Sequence, residues 1–317
     1  MAKKRRKKRG VRKAPIVITI LILLAVSAFL IYNFGEEWFG ISFSDNGTGG
    51  EVNTPGDEVK FHFIDVGQGD AILITTKDGN MLIDSGDLSS SSQKKLDNYL
   101  KSQNITSFEY VVFTHTDADH IGSGDIVVKN YDVKTVIMPD YQATSKVFGR
   151  LVDAIEDKDV DLILIGEDED CEKPGYSFKL GPITHTVMAP TKDFDDPNEM
   201  SVVIKSVYGE TSVLLTGDAE IKSEKAMIAE YTGGELDIDI LKAGHHGSST
   251  SSSSSFLSAT TPEIIIISCG EGNKYGHPHA ATMDRFTKAE IEVFRTDLDG
   301  TIVVKTNGVT YTILTQQ

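Results

Sequence analysis

The chain has 317 residues, enough for one large domain with a sizeable core. Its formal net charge is −16, but nine of its 31 Lys and Arg lie in the first 13 residues, leaving 22 against 47 Asp and Glu in the rest. That balance excludes a broad basic face for gripping nucleic acid; it does not exclude a local site whose positive charge comes from metal ions.

Residues 1–13 read as a basic cytoplasmic tail. Residues 14–35 hold no charge and are mostly Ile, Leu, Val, Ala and Phe. At ~1.5 Å per residue such a helix matches a bilayer's hydrocarbon core, so one transmembrane anchor is predicted. The apolar run continues through Phe29, Leu30, Ile31 and Tyr32, past the cleavage-like Val26-Ser27-Ala28. This favours an uncleaved anchor over a cleaved signal peptide. With the Lys/Arg block held in the cytoplasm, the remainder would lie outside the cell membrane, as a single-pass protein. Residues 36–58 follow as a flexible stalk rich in Gly, Asn, Ser and Thr.

From 59 to 317 strand-like and helix-like segments alternate in a single α/β domain. "VKFHFID" and "AILITT" are strands around the turn "VGQGD", and "NMLIDSGD" is a third strand ending in a turn. "SQKKLDNYLKSQ" reads as a helix, and "FEYVVFT" as a strand that delivers His115. "YQATSKVFGRLVDAIEDK" is helical, and "ITHTVMA" is a strand in which His185 is structural. "SVVIKSV" and "TSVLLTGD" form a hairpin around Tyr208-Gly209-Glu210. "AEIKSEKAMIAEYTGG" is a helix ended by Gly. "LDIDILKAGHHG" is a strand that runs into a His pair, and "EIIIIS" is a buried strand. The serine run 248–255 is low in complexity yet lies between two strong elements. Cys171 and Cys269 are too few for a Cys-based zinc site; they either pair or sit as isolated small apolar residues.

The chemistry gathers at strand ends. "FTHTDADHIG" packs His115, Asp117, Asp119 and His120 into six residues, where a rigid sheet presents functional groups. In an extended segment adjacent side chains diverge, so His115 and Asp117 can serve one metal while Asp119 and His120 serve its neighbour. Imidazole and carboxylate suit divalent transition metals. "LLTGDAE" adds Asp218, "KAGHHGS" adds His245 and His246, and "YGHPH" adds His277 and His279. Six of the eight His thus fall in three strand-end clusters.

"HTDADHIG" resembles the HxHxDH motif of the metallo-β-lactamase superfamily. Together with "FIDVGQGDAILI", "MLIDSGD", "LLTGDAE", "LKAGHHGSST" and "YGHP", it is similar to the extracellular hydrolase domain of ComEC-type DNA-uptake (competence) proteins over about residues 59–317. The resemblance implies a four-layer αββα sandwich with a dinuclear metal site, zinc and/or manganese, at one edge of its two sheets. Carried over residue by residue, it implies that Asp119, His120 and one of His245 and His246 bind one metal, with His246 taken as the ligand. Asp218 would bridge to a second metal completed by His115 and Asp117. Asp119, His245 and His277 would be catalytic, through a metal-bound hydroxide and a proton donor. Asn198, Ser248 and Ser249 would contact substrate.

The chain departs from the family at the second site. Asp117 replaces a His, and the His that normally precedes "SVVI" is absent, with Asn198 near its place. A site richer in oxygen is friendlier to manganese or magnesium and less selective for zinc. The function implied is a phosphodiesterase or nuclease, with DNA a candidate substrate. A phosphorylcholine-esterase-like or other small-ester hydrolase is the runner-up, and a non-catalytic module binding DNA or cell-wall polymer the third reading. The channel-forming region of ComEC proteins has no counterpart in the one anchor helix.

Overall fold

A computed structural model describes residues 57–316. The predicted tail and anchor, and all but the end of the stalk, lie outside these residues. No helix among the described residues is long and apolar enough to cross a membrane.

Two mixed sheets face one another. The first has eight strands in the order Tyr311–Gln316, Thr301–Thr306, Val59–Phe63, Ile72–Thr76, Gly79–Ile83, Ser107–Val112, Asp132–Pro139 and Asp161–Ile165. The second has seven: Glu292–Arg295, Ile264–Ile267, Ile240–Lys242, Thr211–Leu215, Val203–Tyr208, Ile183–Ala189 and Ser177–Leu180. Each sheet is part antiparallel and part parallel, and the parallel run begins at Gly79–Ile83 in one and at Thr211–Leu215 in the other. Parallel strands need coverage on both faces, and the sequence supplies it as amphipathic crossover helices.

Three apolar layers result. Phe61, Phe63, Ile74 and Met81 of the first sheet meet Val187, Ile204, Val213 and Ile266 of the second. Outside the first sheet, Leu96 and Leu100 of the helix Ser90–Ser102, and Leu151 and Ile155 of the helix Lys146–Lys158, cover Leu73, Val111 and Val136. Outside the second, Met227 of Ile221–Glu230, Phe256 of Ser254–Thr260 and Phe286 of Ala280–Lys288 cover Leu214, Leu241 and Ile265. This is the predicted αββα order.

Several local expectations change. Asp119 and His120 do not continue an extended segment; they sit in a short helix, Ala118–Ile121, so helical rotation separates their side chains. The "LDIDILKAGHHG" strand shrinks to Ile240–Lys242, and Gly244–Gly247 form a 3-10 turn. The helix expected to end at Gly233 ends at Glu230, with an extended Tyr231 after it. The serine run is well ordered by its contacts. Glu224 accepts from the amides of Ser252 and Ser253, Arg285 donates to the carbonyls of Ser251 and Ser252, and Ser253 caps the next helix through Phe256 N at 3.2 Å. Cys171 and Cys269 are both free. His185 is fully buried in its strand, with Nδ1 2.8 Å from Ser206 Oγ.

Candidate metal centre

The candidate site lies where the central strands of both sheets end. Asp84 follows Ile83 directly, His115 follows Val112 by three residues, Asp218 follows Leu215 by three, and His245 and His246 follow Lys242. Carboxyl ends of parallel strands are where open α/β sheets collect ligands. Asp70 arrives from the opposite direction, on the turn before Ile72. There Gly69 has φ +117°, and a Cβ on it would overlap the Asp119 carbonyl, so only glycine lets this turn press against the short helix.

A buried carboxylate and a backbone carbonyl fix two imidazoles. Asp84 Oδ2 lies 2.7 Å from His120 Nδ1, and the same carboxylate accepts from Thr114 N at 2.8 Å and Thr114 Oγ1 at 2.7 Å. His246 Nδ1 donates to the Ser268 carbonyl at 2.9 Å and lies 3.3 Å from Asp70 Oδ1. A proton held on each Nδ1 leaves the Nε2 lone pair free. Those two Nε2 atoms stand 3.2 Å apart. Around them, His120 Nε2 is 3.2 Å from Asp218 Oδ1, and His246 Nε2 is 3.4 Å from Asp218 Oδ2 and 3.5 Å from Asp119 Oδ2.

These spacings fit a cation. Two ligands about 2.0–2.1 Å from one tetrahedral ion stand roughly 3.3 Å apart. Facing lone pairs at 3.2 Å repel unless a proton or a metal lies between them. Unpartnered atoms point the same way: Asp218 Oδ1 and His115 Nε2 are buried and make no hydrogen bond among the described residues. The charge balance agrees. Asp70, Asp84, Asp119 and Asp218 converge with Lys242 alone opposing them. Burial by itself pushes the His246 ring down, but Asp218 and Asp70 outweigh it and hold it at about 10. His120 is likewise raised well above its ordinary value by Asp218 and Asp84, against its burial. Burial would raise Asp218, yet His120 and His246 hold it well below the usual carboxylate range. The cavity therefore demands positive charge, as protons or as metal. A cluster of Asp70, His120, Asp218 and His246 offers ligand atoms all within 4.8 Å of one another. Within it Asp70 Oδ2 is already engaged by Lys242 Nζ at 2.7 Å.

The remaining predicted residues fall around this cluster. His115 lies beside His120, ring centroids 4.1 Å apart and the planes tilted by 52°; burial first, then the neighbouring His120, pushes it down to about 3. Asp117 is the N-cap of the short helix, yet its carboxylate makes no capping bond. Its pKa is raised, by partial burial and then by the charges of Asp119 and Asp218, so the group faces other acids. Asn198 Nδ2 is 3.5 Å from His245 Nδ1, and its buried Oδ1 has no partner. His277 is nearly buried, its ring 5.3 Å from His245, with Nδ1 unpartnered. Ser248 is 4% exposed and its hydroxyl pairs with Thr250 Oγ1 at 2.9 Å, while the Ser249 amide donates to His279 Nδ1 at 2.9 Å. The Ser248 hydroxyl is thus engaged within the loop, whereas Ser249 is exposed and only its amide is bonded, to His279.

His245 and His246 share an unusual backbone, with φ of +47° and +54°. Left-handed non-glycine residues cost ~1–2 kcal/mol each. In an extended strand the two rings would point to opposite faces. The left-handed turn, continued by Gly247 at φ +80°, brings both to Asp218, with His245 Nε2 3.7 Å from Asp218 Oδ2.

Residues 64–271 match the Metallo-beta-lactamase superfamily, and the chain belongs to that family. Three of its curated relatives are competence proteins of the ComEC type. It is 30% identical over 262 residues to ComE operon protein 3 of Bacillus subtilis (strain 168), covering 77% of this chain and 33% of that protein. It is 30% identical over 249 residues to Competence protein ComA of Neisseria gonorrhoeae, covering 78% and 32%. The chain thus spans about a third of the length of these relatives. The metallo-beta-lactamase fold protein YhfI from Bacillus subtilis, a solved structure, is 15% identical with a TM-score of 0.49, covering 78% of this chain and 100% of that one. The chain is therefore a metallo-β-lactamase-fold protein related to competence proteins, with a candidate metal site.

Asp70, Asp84 and Lys242 were missed as site residues by sequence reasoning, although "VGQGD", "MLIDSGD" and "LKAGHHG" were all recognised as family motifs. The signal was a polar residue beside a strand end in each. Nothing local showed that Asp84 would face His120, that Asp70 would face His246, or that Lys242 would pair with Asp70.

Proposed function

We propose that this protein is a phosphodiesterase or nuclease using two divalent metals, zinc and/or manganese, tethered to the membrane by residues 14–35 with residues 59–317 outside the cell. The observation that carries the hydrolytic reading is the pair of inward Nε2 atoms, 3.2 Å apart, each held by a proton on its Nδ1. Asp119, His120 and His246 are the ligands proposed for one metal. His115 and Asp117 are those proposed for the other, and Asp218 would be shared between them. When bound, such a pair supplies Lewis-acid stabilisation of charge at phosphorus and lowers the pKa of water toward ~7.

The chain's own groups do the rest. Asp84 and the Ser268 carbonyl keep His120 and His246 in the tautomer that faces inward. Asp119 orients the attacking water. Asn198 Oδ1 and His277 Nδ1, both buried and without a hydrogen-bond partner among the described residues, would hold substrate and give a proton to the leaving oxygen. The oxygen-rich set around Asp117 favours manganese in the second position.

The resemblance to DNA-uptake proteins favours DNA. A small phosphate ester is retained as a second reading because of the acidic chain. Beside the site, a cleft of about 920 Å³ also balances Lys192, Lys222 and Lys225 against Asp193, Asp195 and Asp196. The test is hydrolysis by the full chain, with manganese and with zinc, of single-stranded DNA, duplex DNA, bis-p-nitrophenyl phosphate and p-nitrophenylphosphorylcholine. Turnover of the first three supports the proposal. Turnover of the last alone supports the small-ester reading, and binding without turnover of any supports a non-catalytic module. Protease added to intact cells should digest the catalytic domain; full protection would overturn the topology.

A further inference from the structure

We infer that His245 is a ligand of the second metal, taking the place of the histidine missing before "SVVI", with Glu220 and Thr250 as the residues that position it. This rests on the paired-metal reading and adds a nitrogen ligand to a site otherwise left with His115, Asp117 and the bridging Asp218.

The geometry assigns each atom of the ring. His245 Nδ1 lies 2.8 Å from Glu220 Oε1, and the same oxygen accepts from Thr250 Oγ1 at 2.7 Å. Thr250 is in turn paired with the buried Ser248 hydroxyl. The carboxylate thus sits on the outer nitrogen, as Asp84 sits on that of His120. Carboxylate–imidazole pairs of this kind orient metal-bound histidines. The inner nitrogen, Nε2, is 3.7 Å from Asp218 Oδ2. That is close to the spacing between His246 Nε2 and the same oxygen, 3.4 Å. Asp218 Oδ2 is therefore flanked by both members of the His pair. One carboxylate oxygen with an imidazole on each side is the arrangement expected at a shared edge of two coordination spheres.

The backbone supports the assignment. Two successive left-handed residues are needed only if both rings must reach one point. A proton donor has to face the leaving group, whereas His245 faces the bridging carboxylate. Asn198, in the sequence position of the missing histidine, reaches only to the outer side of His245, 3.5 Å from Nδ1. The ligand has moved from one loop to another, and the residue left behind supports it through the Glu220 carboxylate, to which Asn198 hydrogen-bonds. The serine run gains a role as well: its first residues brace Glu220 against His245.

The test is metal content of the full chain by elemental analysis after dialysis against limiting manganese or cobalt. His245→Gly keeps the left-handed backbone and removes only the ring. It should reduce content from about two ions to about one, and added imidazole should restore the second. Glu220→Gln should weaken the second ion by about 10–100-fold. The visible spectrum of the cobalt form should lose the component of the second site in His245→Gly and keep it in His277→Ala. Two ions retained in His245→Gly with an unchanged cobalt spectrum would overturn the assignment and return His245 to proton transfer. A wild-type chain that binds a single ion would overturn the paired-metal reading, and this ligand with it.

Discussion

Asp84→Asn tests whether a buried carboxylate sets the tautomer of His120. Asp84 makes three contacts in the dark of the core: Thr114 N at 2.8 Å, Thr114 Oγ1 at 2.7 Å and His120 Nδ1 at 2.7 Å. Asparagine is nearly the same shape. Its oxygen must stay on the Thr114 amide, which can only donate. Its NH₂ then faces His120 Nδ1, which also carries a proton, and two donors cannot share that contact. The ring can escape by moving its proton to Nε2, the atom 3.2 Å from His246 Nε2 and from Asp218 Oδ1. A protonated Nε2 cannot ligate. Losing an outer partner of this kind typically weakens metal binding 10–100-fold, or ~1.4–2.8 kcal/mol. The fold loses about 1–3 kcal/mol if the donor clash stays in place, and less if the tautomer changes. The assay is competitive titration of the metal-free protein with manganese or zinc against a chromophoric chelator, beside a thermal melt without metal. The tautomer mechanism predicts a large fall in metal affinity with a small change in the melt. Unchanged affinity would mean that His120 Nε2 does not bind metal, or that Asp84 does not govern it.

Three further outcomes follow from named residues. Asp117→Ala should abolish nearly all phosphodiester hydrolysis while about one metal per chain and the fold remain, and Asp117→His should favour zinc over manganese; two metals with wild-type activity in Asp117→Ala would make Asp117 only a turn residue. Lys242→Met strips the ammonium from the fully buried Asp70, 2.7 Å away, and should cost ~3–5 kcal/mol in urea unfolding, with partial recovery in Lys242→Met/Asp70→Asn; a change under ~1 kcal/mol would show that the pair is not charged. His185, which burial pushes down to about 3, is stacked on Phe178 with no acid beside it. Above pH ~6.5 the ring is neutral in both folded and unfolded chains. As pH falls from there toward 3, only the unfolded chain takes the proton, so stability falls by up to ~1.4 kcal/mol per pH unit. His185→Leu should flatten the decline of the urea midpoint between pH 6.5 and 4, and an equal slope in both proteins would contradict this.

Strand periodicity and turn residues were enough to place most central elements, because buried parallel strands such as "EIIIIS" and paired hairpins such as the one at Gly209 carry their pattern locally. The histidine clusters were legible for the same reason, since strand ends are local features. What stayed hidden depends on contacts distant in sequence. The left-handed backbone of His245 and His246 leaves no trace in "GHHG" beyond the flanking glycines, and in an extended strand only one of the two would face the site. The short helix at Ala118–Ile121 was also hidden: four residues give no period to read, and Asp117 caps it without a side-chain bond. The bonds of the Ser248 hydroxyl to Thr250 and of the Ser249 amide to His279 were hidden too, the second because its partner lies 30 positions away.

The paired site is most directly tested by anomalous diffraction from crystals grown with manganese. Two peaks flanking Asp218 are expected, one against Asp119, His120 and His246, the other against His115, Asp117 and His245. A single peak, or a peak seated on Asp70 in place of the Lys242 ammonium, would contradict the paired-metal centre.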